Sequence, residues 1–301
     1  MKNLIRMFLV GLFMVCSVAI AQAGKPMTKR EGPTRGRRAS GIIKQKDMRT
    51  EPIQRVVALG ESTTWGYSAT SKDKCWVNQT VGLLEEFQGQ PIELINQGIG
   101  ANVLTPRCPA YLRSAKPSAS ERVDQDLITL NPDLVFLSYG LNDSRGGITA
   151  EVFREEYQRL IDRIRSRTEA IIVILNVYYM HASAYEMKGW NYSNYSVTEE
   201  FNQIIADLAK KNGLILVDVW SAEKGVDWII GKDRVHPNDL GHRLIANRVF
   251  EAIARNCSFV TGAIPKQSGF RNFVREYGNG PDRPSSRRKI RDVTPDPEGH
   301  R

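Results

Sequence analysis

With 301 residues, 41% of them hydrophobic and 25% charged, the chain is too apolar for wholesale disorder and long enough for one domain with a sizeable core. Its formal net charge of +9 would suit a nucleic acid or anionic surface, but the charge is not evenly spread. Residues 24–55 hold 10 Lys/Arg against 3 acids and residues 262–301 hold 9 against 5, whereas residues 56–261 hold 21 basic and 25 acidic residues. The body is mildly acidic, which argues against a basic nucleic-acid-binding fold, and no nucleic acid partner is expected.

Residues 1–23 read as a secretory signal. Lys2 and Arg6 precede an apolar run from Met7 to Ile20, and Ala21-Gln22-Ala23 offers the small-x-small cleavage pattern. The expected location is therefore periplasmic or secreted, with a mature start near Gly24. Residues 24–54 are expected to form a flexible basic arm, and 263–301 a disordered basic tail rich in Pro, Ser and Arg. These ends are expected to be solvated segments or to make an electrostatic contact to an anionic surface. The body, 55–262, is expected to be the folded domain.

Along that body, short β-branched runs occur at 56–59, 92–95, 134–138, 171–177 and 214–217. They alternate with segments of helical period at 76–87, 118–130, 149–167, 198–211 and 238–254. In the third of these, Val152, Phe153, Tyr157, Leu160, Ile161 and Ile164 recur every three or four residues, as an amphipathic helix requires. Thr149 and Thr198 are expected N-caps. Continuous apolar strands between helices predict an α/β domain whose parallel sheet is covered on both faces. In such folds ligands bind beyond the C-terminal ends of the strands.

The polar residues at those ends make one set. Gly60-Glu61-Ser62 follows the first strand, and Asn96 to Asn102 closes the second. Gly140-Leu141-Asn142-Asp143 follows the third, and Asp233-Arg234-Val235-His236 lies beyond the fifth. Ester hydrolysis requires a nucleophile, a base, a group that orients the base and donors for the oxyanion. Ser62, His236 and Asp233 fill the first three roles, and Asn142 with backbone N–H groups of the second loop fills the last. His181 is expected to take a structural or substrate-contact role rather than act as base, and His242 to pack or face solvent. Neither a metal nor a cofactor is required.

These blocks resemble those of the SGNH (GDSL-like) hydrolase family over roughly residues 55–255. The resemblance implies a three-layer flavodoxin-like fold with a central five-stranded parallel sheet. It also implies a serine esterase, lipase or deacetylase in which Ser62, His236 and Asp233 act together, with the Ser62 amide and Asn142 serving the oxyanion. One position departs from the family: Ala101 stands where the second block usually carries its oxyanion glycine, so Ala101 or Gly100 is the expected donor.

Trp65, His181, Trp190 and Tyr192 are candidate substrate contacts, since aromatic faces stack on sugars or line acyl channels. The expected substrate is a small acyl ester or acylated glycan. A lysophospholipase or thioesterase, an O-acyltransferase and a non-catalytic acyl-glycan binder remain open. Of the three cysteines beyond the signal, Cys75 and Cys108 fall at the same end of the sheet and are the expected bridge.

Overall fold

The computed structural model describes residues 46–262; the expected signal peptide, most of the basic arm and the C-terminal tail lie outside the described residues. Five parallel strands form one sheet in the order β2-β1-β3-β4-β5: β1 (Arg55–Gly60), β2 (Glu93–Gly98), β3 (Leu134–Ser138), β4 (Ile171–Leu175) and β5 (Ile215–Val217). Val56, Val57, Ala58 and Leu59 of β1 are all completely buried. A strand covered on both faces has no polar side to show, hence its unbroken apolar run. β2 is an edge and half-exposed, and its Glu93, Asn96 and Gln97 reflect that.

Helices cover both faces. On one, α2 (Trp76–Gln88) packs against α8 (Asp239–Asn256); on the other, α3 (Ala119–Asp126) and α6 (Tyr195–Asn212) flank α5 (Ala150–Arg165). Three short helices, α1 (Ser62–Trp65), α4 (Leu141–Arg145) and α7 (Trp220–Glu223), begin soon after strands β1, β3 and β5. Local signals explain the boundaries. The Thr149 hydroxyl accepts the Val152 amide as the N-cap of α5, and Ser118 forms a reciprocal capping box with Glu121 at the start of α3. The cap expected at Thr198 is instead Asn194, whose side chain accepts the Val197 amide. Thr198 sits within the first turn of α6, where its hydroxyl bonds the Asn194 carbonyl at 2.9 Å and the Tyr185 hydroxyl at 2.8 Å. Strand β4 also ends earlier than its apolar run. Past Leu175, the Asn176 amide still donates to the Val217 carbonyl at 3.1 Å, while its side-chain oxygen accepts the Val219 and Trp220 amides, fixing the turn after β5.

The folded body reaches upstream of residue 55. Arg49 pairs with Asp133 at 2.8 Å, the Met48 amide donates to the Asn256 carbonyl at 2.7 Å, and Ile53 is buried with both backbone groups bonded to Gln88. Residues 46–54, assigned from composition to the arm, belong to the domain. Their polarity hid one apolar anchor and one ion pair.

The expected Cys75–Cys108 bridge is not formed; Cys75, Cys108 and Cys257 are all buried free thiols. The sulfur of Cys75 lies against the Thr64 carbonyl at 3.5 Å, whereas that of Cys108 lies near the Asp143 carbonyl at 3.9 Å. Each follows a different strand end and packs under a different loop.

Tyr179, Trp220, Ile229 and Ile230 form a satellite cluster, and Glu223, on the same short helix as Trp220, is almost fully buried. One carboxylate oxygen accepts the Tyr179 amide at 3.3 Å and the other has no partner among the described residues. Burial pushes this carboxyl up from 4.5 to about 8, the single amide bond opposing the shift only weakly. The folded state therefore holds the proton more tightly than the unfolded chain, and stability falls as pH rises from about 4.5 through about 8. Glu223→Gln is expected to match the parent near pH 5 and to be more stable by on the order of a few kcal/mol at pH 8. Denaturant midpoints at the two pH values check this: a difference that fails to grow with pH would count against a protonated Glu223.

Candidate active site

At the C-terminal edge of the sheet, residues from three strand ends and the loop before α8 converge. Gly60 ends β1 and Ser62 begins α1, so the serine side chain leaves the strand at the mouth of the sheet. Gly98 of β2 permits that turn: a Cβ there would lie 2.2 Å from the Trp65 amide nitrogen and 2.7 Å from the Trp65 Cα. No side chain larger than hydrogen fits beneath α1.

The loop bearing Asp233 and His236 is a tight turn. The Gly231 amide donates to the His236 carbonyl at 2.6 Å, and Arg234 takes a left-handed conformation at φ 66°. The Arg234 carbonyl accepts the His181 amide at 3.0 Å, so the segment after β4 holds this turn in place. Within it, the Ser62 hydroxyl lies 2.7 Å from His236 Nε2, and His236 Nδ1 lies 2.6 Å from Asp233 Oδ2. Asp233 Oδ1 accepts the amides of Val235 and His236, each at 3.0 Å. Partial burial raises the Asp233 pKa, but the His236 ring and these amides outweigh it and hold the carboxylate well below its ordinary range. An ionised Asp233 requires Nδ1 to carry a proton, leaving Nε2 free to accept one from Ser62.

The third block is fixed from two sides. Glu61 is buried and its Oε1 accepts the Asn142 amide at 2.9 Å, while Asp143 Oδ1 accepts the Leu104 amide at 2.9 Å. Burial raises both carboxyls above their ordinary range, and the Asp143 carboxyl adds to the shift of Glu61. In the sequence these two acids stand only as members of the first and third motif blocks. Their role as clamps between loops depends on partners far apart in the chain.

The Asn142 side-chain nitrogen donates one hydrogen bond to the Asn102 carbonyl at 3.0 Å, which leaves its second N–H for another acceptor. Of the two candidate amides in the second loop, Ala101 is the residue in the left-handed region, at φ 55°, with its side chain exposed. That backbone suits glycine and costs an alanine about 1–2 kcal/mol. A Cβ on Gly100 would meet nothing within 4 Å, so no steric need fixes glycine there.

Other expected contacts divide. Trp65 is exposed, and the ring of Tyr67, which no motif of the sequence marks, bridges it to His236: ring centroids are 6.3 Å apart for Trp65–Tyr67 and 4.4 Å for Tyr67–His236. Tyr192 is exposed and lies over Gly147, and half-buried Trp190 lies under the Arg113 guanidinium at 5.4 Å. His181 Nδ1 bonds the Ser183 hydroxyl at 2.8 Å, with Asp227 3.9 Å from its other nitrogen. That carboxylate is 46 positions away in sequence, beyond the reach of a local reading. His181 thus has partners of its own, apart from the Ser62 relay. His242 is fully buried, accepting the Trp76 amide at 3.3 Å and donating to the Tyr67 carbonyl at 3.0 Å, so it packs rather than faces solvent.

Among the described residues, no group of three or more His, Cys, Asp or Glu could hold a metal ion, and no helix is long and apolar enough to cross a membrane. The fold is similar to that of a lipase/acylhydrolase from Enterococcus faecalis, with TM-score 0.54 and 19% identity over 67% of this chain and 96% of that one. It is also similar to that of an acetylxylan esterase from Geobacillus stearothermophilus, with TM-score 0.53 and 17% identity over 68% of this chain and 96% of the other. An uncharacterized lipoprotein of Bacillus subtilis is 25% identical over 193 residues, covering 55% of this chain and 70% of its own length. Residues 58–244 match the GDSL-like Lipase/Acylhydrolase family, and since they make up more than half of the chain, the protein belongs to that family.

Proposed function

We propose that this protein is an exported serine ester hydrolase that removes short acyl groups, such as acetyl, from carbohydrate hydroxyls. The observation that carries the reading is the unbroken relay from the Ser62 hydroxyl through His236 to an ionised Asp233. Ser62 Oγ attacks the ester carbonyl carbon while His236 Nε2 takes its proton. The same nitrogen returns the proton to the departing alcohol, leaving an acyl group on Ser62. Water, deprotonated by His236, then releases the acid and restores the serine. The oxyanion formed in each half lies against the Ser62 amide, Asn142 Nδ2 and an amide of the second loop, with Ala101 favoured over Gly100 by its conformation.

The surroundings support the substrate class. Trp65, Tyr67, Leu112, Met187, Tyr192 and Trp228 are exposed, and all lie in segments that follow C-terminal ends of strands. Four of the six are aromatic, with an apolar face and, in Trp and Tyr, a polar edge, the chemistry that stacks on a sugar ring. Export is supported by the lipoprotein relative, and the acetylxylan esterase of the same fold makes an acetylated glycan the first polymer to test.

The test is a series of p-nitrophenyl acetate, butyrate and octanoate, followed by acetate release from acetylated xylan. Acetate is expected to be the fastest ester, with free acetate released from the polymer. A preference for octanoate would overturn the short-acyl reading in favour of a lipolytic one, and acetyl appearing on an added sugar instead of in solution would turn hydrolysis into transfer. On p-nitrophenyl acetate, Asn142→Ala is expected to lower kcat about 10²-fold with KM changed only a few-fold, because its amide acts on charge that develops only in the transition state. Steady-state kinetics check this; an unchanged kcat removes Asn142 from the oxyanion site.

A further inference from the structure

Beneath the oxyanion side of the site lies a buried polar network that the hydrolytic reading does not use. Arg122 of α3 is almost fully buried, yet among the described residues its one carboxylate partner is Asp126, at 2.9 Å on Nη1. Its Nε has no partner among them. Its Nη2 points to the sheet edge, where it donates to the Gln97 carbonyl at 2.9 Å, the Gly60 carbonyl at 3.3 Å and the Tyr139 hydroxyl at 2.7 Å. The Tyr139 hydroxyl in turn donates to Asn102 Oδ1 at 2.9 Å, with Arg122 Nη2 a further 3.5 Å contact to the same oxygen.

Asn102 is fully buried and fixed at both ends of its side chain. Its Nδ2 donates to the Ala115 and Pro117 carbonyls, both at 2.8 Å. Its own carbonyl accepts Asn142 Nδ2 at 3.0 Å, and its N–H donates to the Ile99 carbonyl at 3.3 Å, closing the turn that carries Gly100 and Ala101. Asn102 thus touches both donors: its carbonyl holds the Asn142 side-chain amide, and its N–H closes the turn of the left-handed Ala101. Its orientation is held by Tyr139, which the Arg122 cation polarises into a stronger donor.

We propose that Arg122 and Tyr139 are positioning residues for the oxyanion site, acting through Asn102 on the Asn142 and Ala101 donors. The inference rests on the hydrolase reading above. Arg122 spends Nη1 on Asp126 and Nη2 on the ends of β1 and β2 and on the tyrosine that orients Asn102, so one buried cation ties the strand ends to the loop that carries the donors. A fixed donor array costs no reorganisation during reaction, so loosening it lowers kcat without weakening the ground-state complex.

The experiment compares the full chain with Tyr139→Phe and Arg122→Met on p-nitrophenyl acetate, and measures inhibition by phenylboronic acid, whose tetrahedral serine adduct places an oxygen among the oxyanion donors. Melting curves accompany each variant, so that unfolded protein is not counted as inactive enzyme. Tyr139→Phe is expected to lower kcat about 10-fold, less than outright removal of a donor, with KM within about 2-fold and boronate affinity falling about as far as kcat. Arg122→Met is expected to move the same quantities in the same direction. Boronate affinity unchanged in folded Tyr139→Phe overturns the proposal, whatever kcat does; should that variant fail to fold, the same result in folded Arg122→Met overturns it. Ser62→Ala, run in parallel, separates the two levels. If it retains turnover, the hydrolase reading fails; if it is inactive while both network variants keep parental kcat and inhibition, only the positioning role fails.

Discussion

Ser62→Ala is expected to lower turnover of p-nitrophenyl acetate by about 10⁴-fold or more while leaving the protein folded. The size follows from what the hydroxyl does and does not do. It is the nucleophile of the proposed mechanism, and its hydrogen bond among the described residues is the 2.7 Å contact to His236. Removing it takes that partner from His236 Nε2, but the imidazole is not fully buried and water can replace the hydroxyl, so the melting temperature should hardly move. No neighbouring hydroxyl can take over. Ser68 Oγ bonds the carboxylate of Asp233 at 3.3 Å rather than the histidine, and the hydroxyls of Thr63 and Thr64 are buried without partners among the described residues. Turnover within about 10-fold of the parent in a folded Ser62→Ala protein would sink the serine mechanism outright, because general-base attack by water without the nucleophile forfeits the acyl-enzyme route.

What the sequence made legible divides along the range of the interactions. The sheet could be read because each strand is a continuous apolar run, a pattern imposed locally by burial on both faces; β1 and β3 fall within a residue of their expected limits. Ser62, Asn142, Asp233 and His236 could be named because each sits in a short block just beyond a strand or before a helix. The structure brings Ser62, His236 and Asp233 into one hydrogen-bonded relay. Harder to see was whatever depends on contacts between distant segments. Asn194, not Thr198, caps α6 because Tyr185 and Asn194 engage the threonine hydroxyl, and residues 46–54 join the domain through Asn256, Gln88 and Asp133. The Arg122–Tyr139–Asn102 network joins α3, the end of β3 and the second loop, and no spacing in the chain announces it. Ala101 lies between these cases: the departure from glycine is visible in the sequence, but only the φ of 55° shows that the backbone keeps the glycine-like conformation.

Asp233→Asn is expected to lower kcat by about 10⁴-fold at neutral pH with little change in the fold, and the reason lies in which atoms Asp233 presents. Its Oδ1 already accepts the Val235 and His236 amides, so an asparagine keeps its oxygen there and turns its NH₂ toward His236. Two donors cannot face each other across the 2.6 Å that separates Oδ2 from Nδ1. The imidazole therefore adopts the opposite tautomer, with Nδ1 accepting from the introduced NH₂ and the proton on Nε2, where it faces the serine it must deprotonate. The geometry survives while the chemistry is inverted, which distinguishes this variant from Asp233→Ala, where the turn also loses the acceptor for both amides and stability falls further. The ionised state of Asp233 carries a second consequence. Because its folded pKa lies below the ordinary carboxylate range, its contribution to stability is fully present above about pH 4 and is lost only as pH falls further toward that depressed value. Acid unfolding curves of the parent and Asp233→Asn should thus differ at neutral pH and converge at low pH, while the kcat defect, measured at neutral pH, persists in fully folded protein. A kcat within about 10-fold of the parent would assign the orientation of His236 to another group and remove Asp233 from the relay.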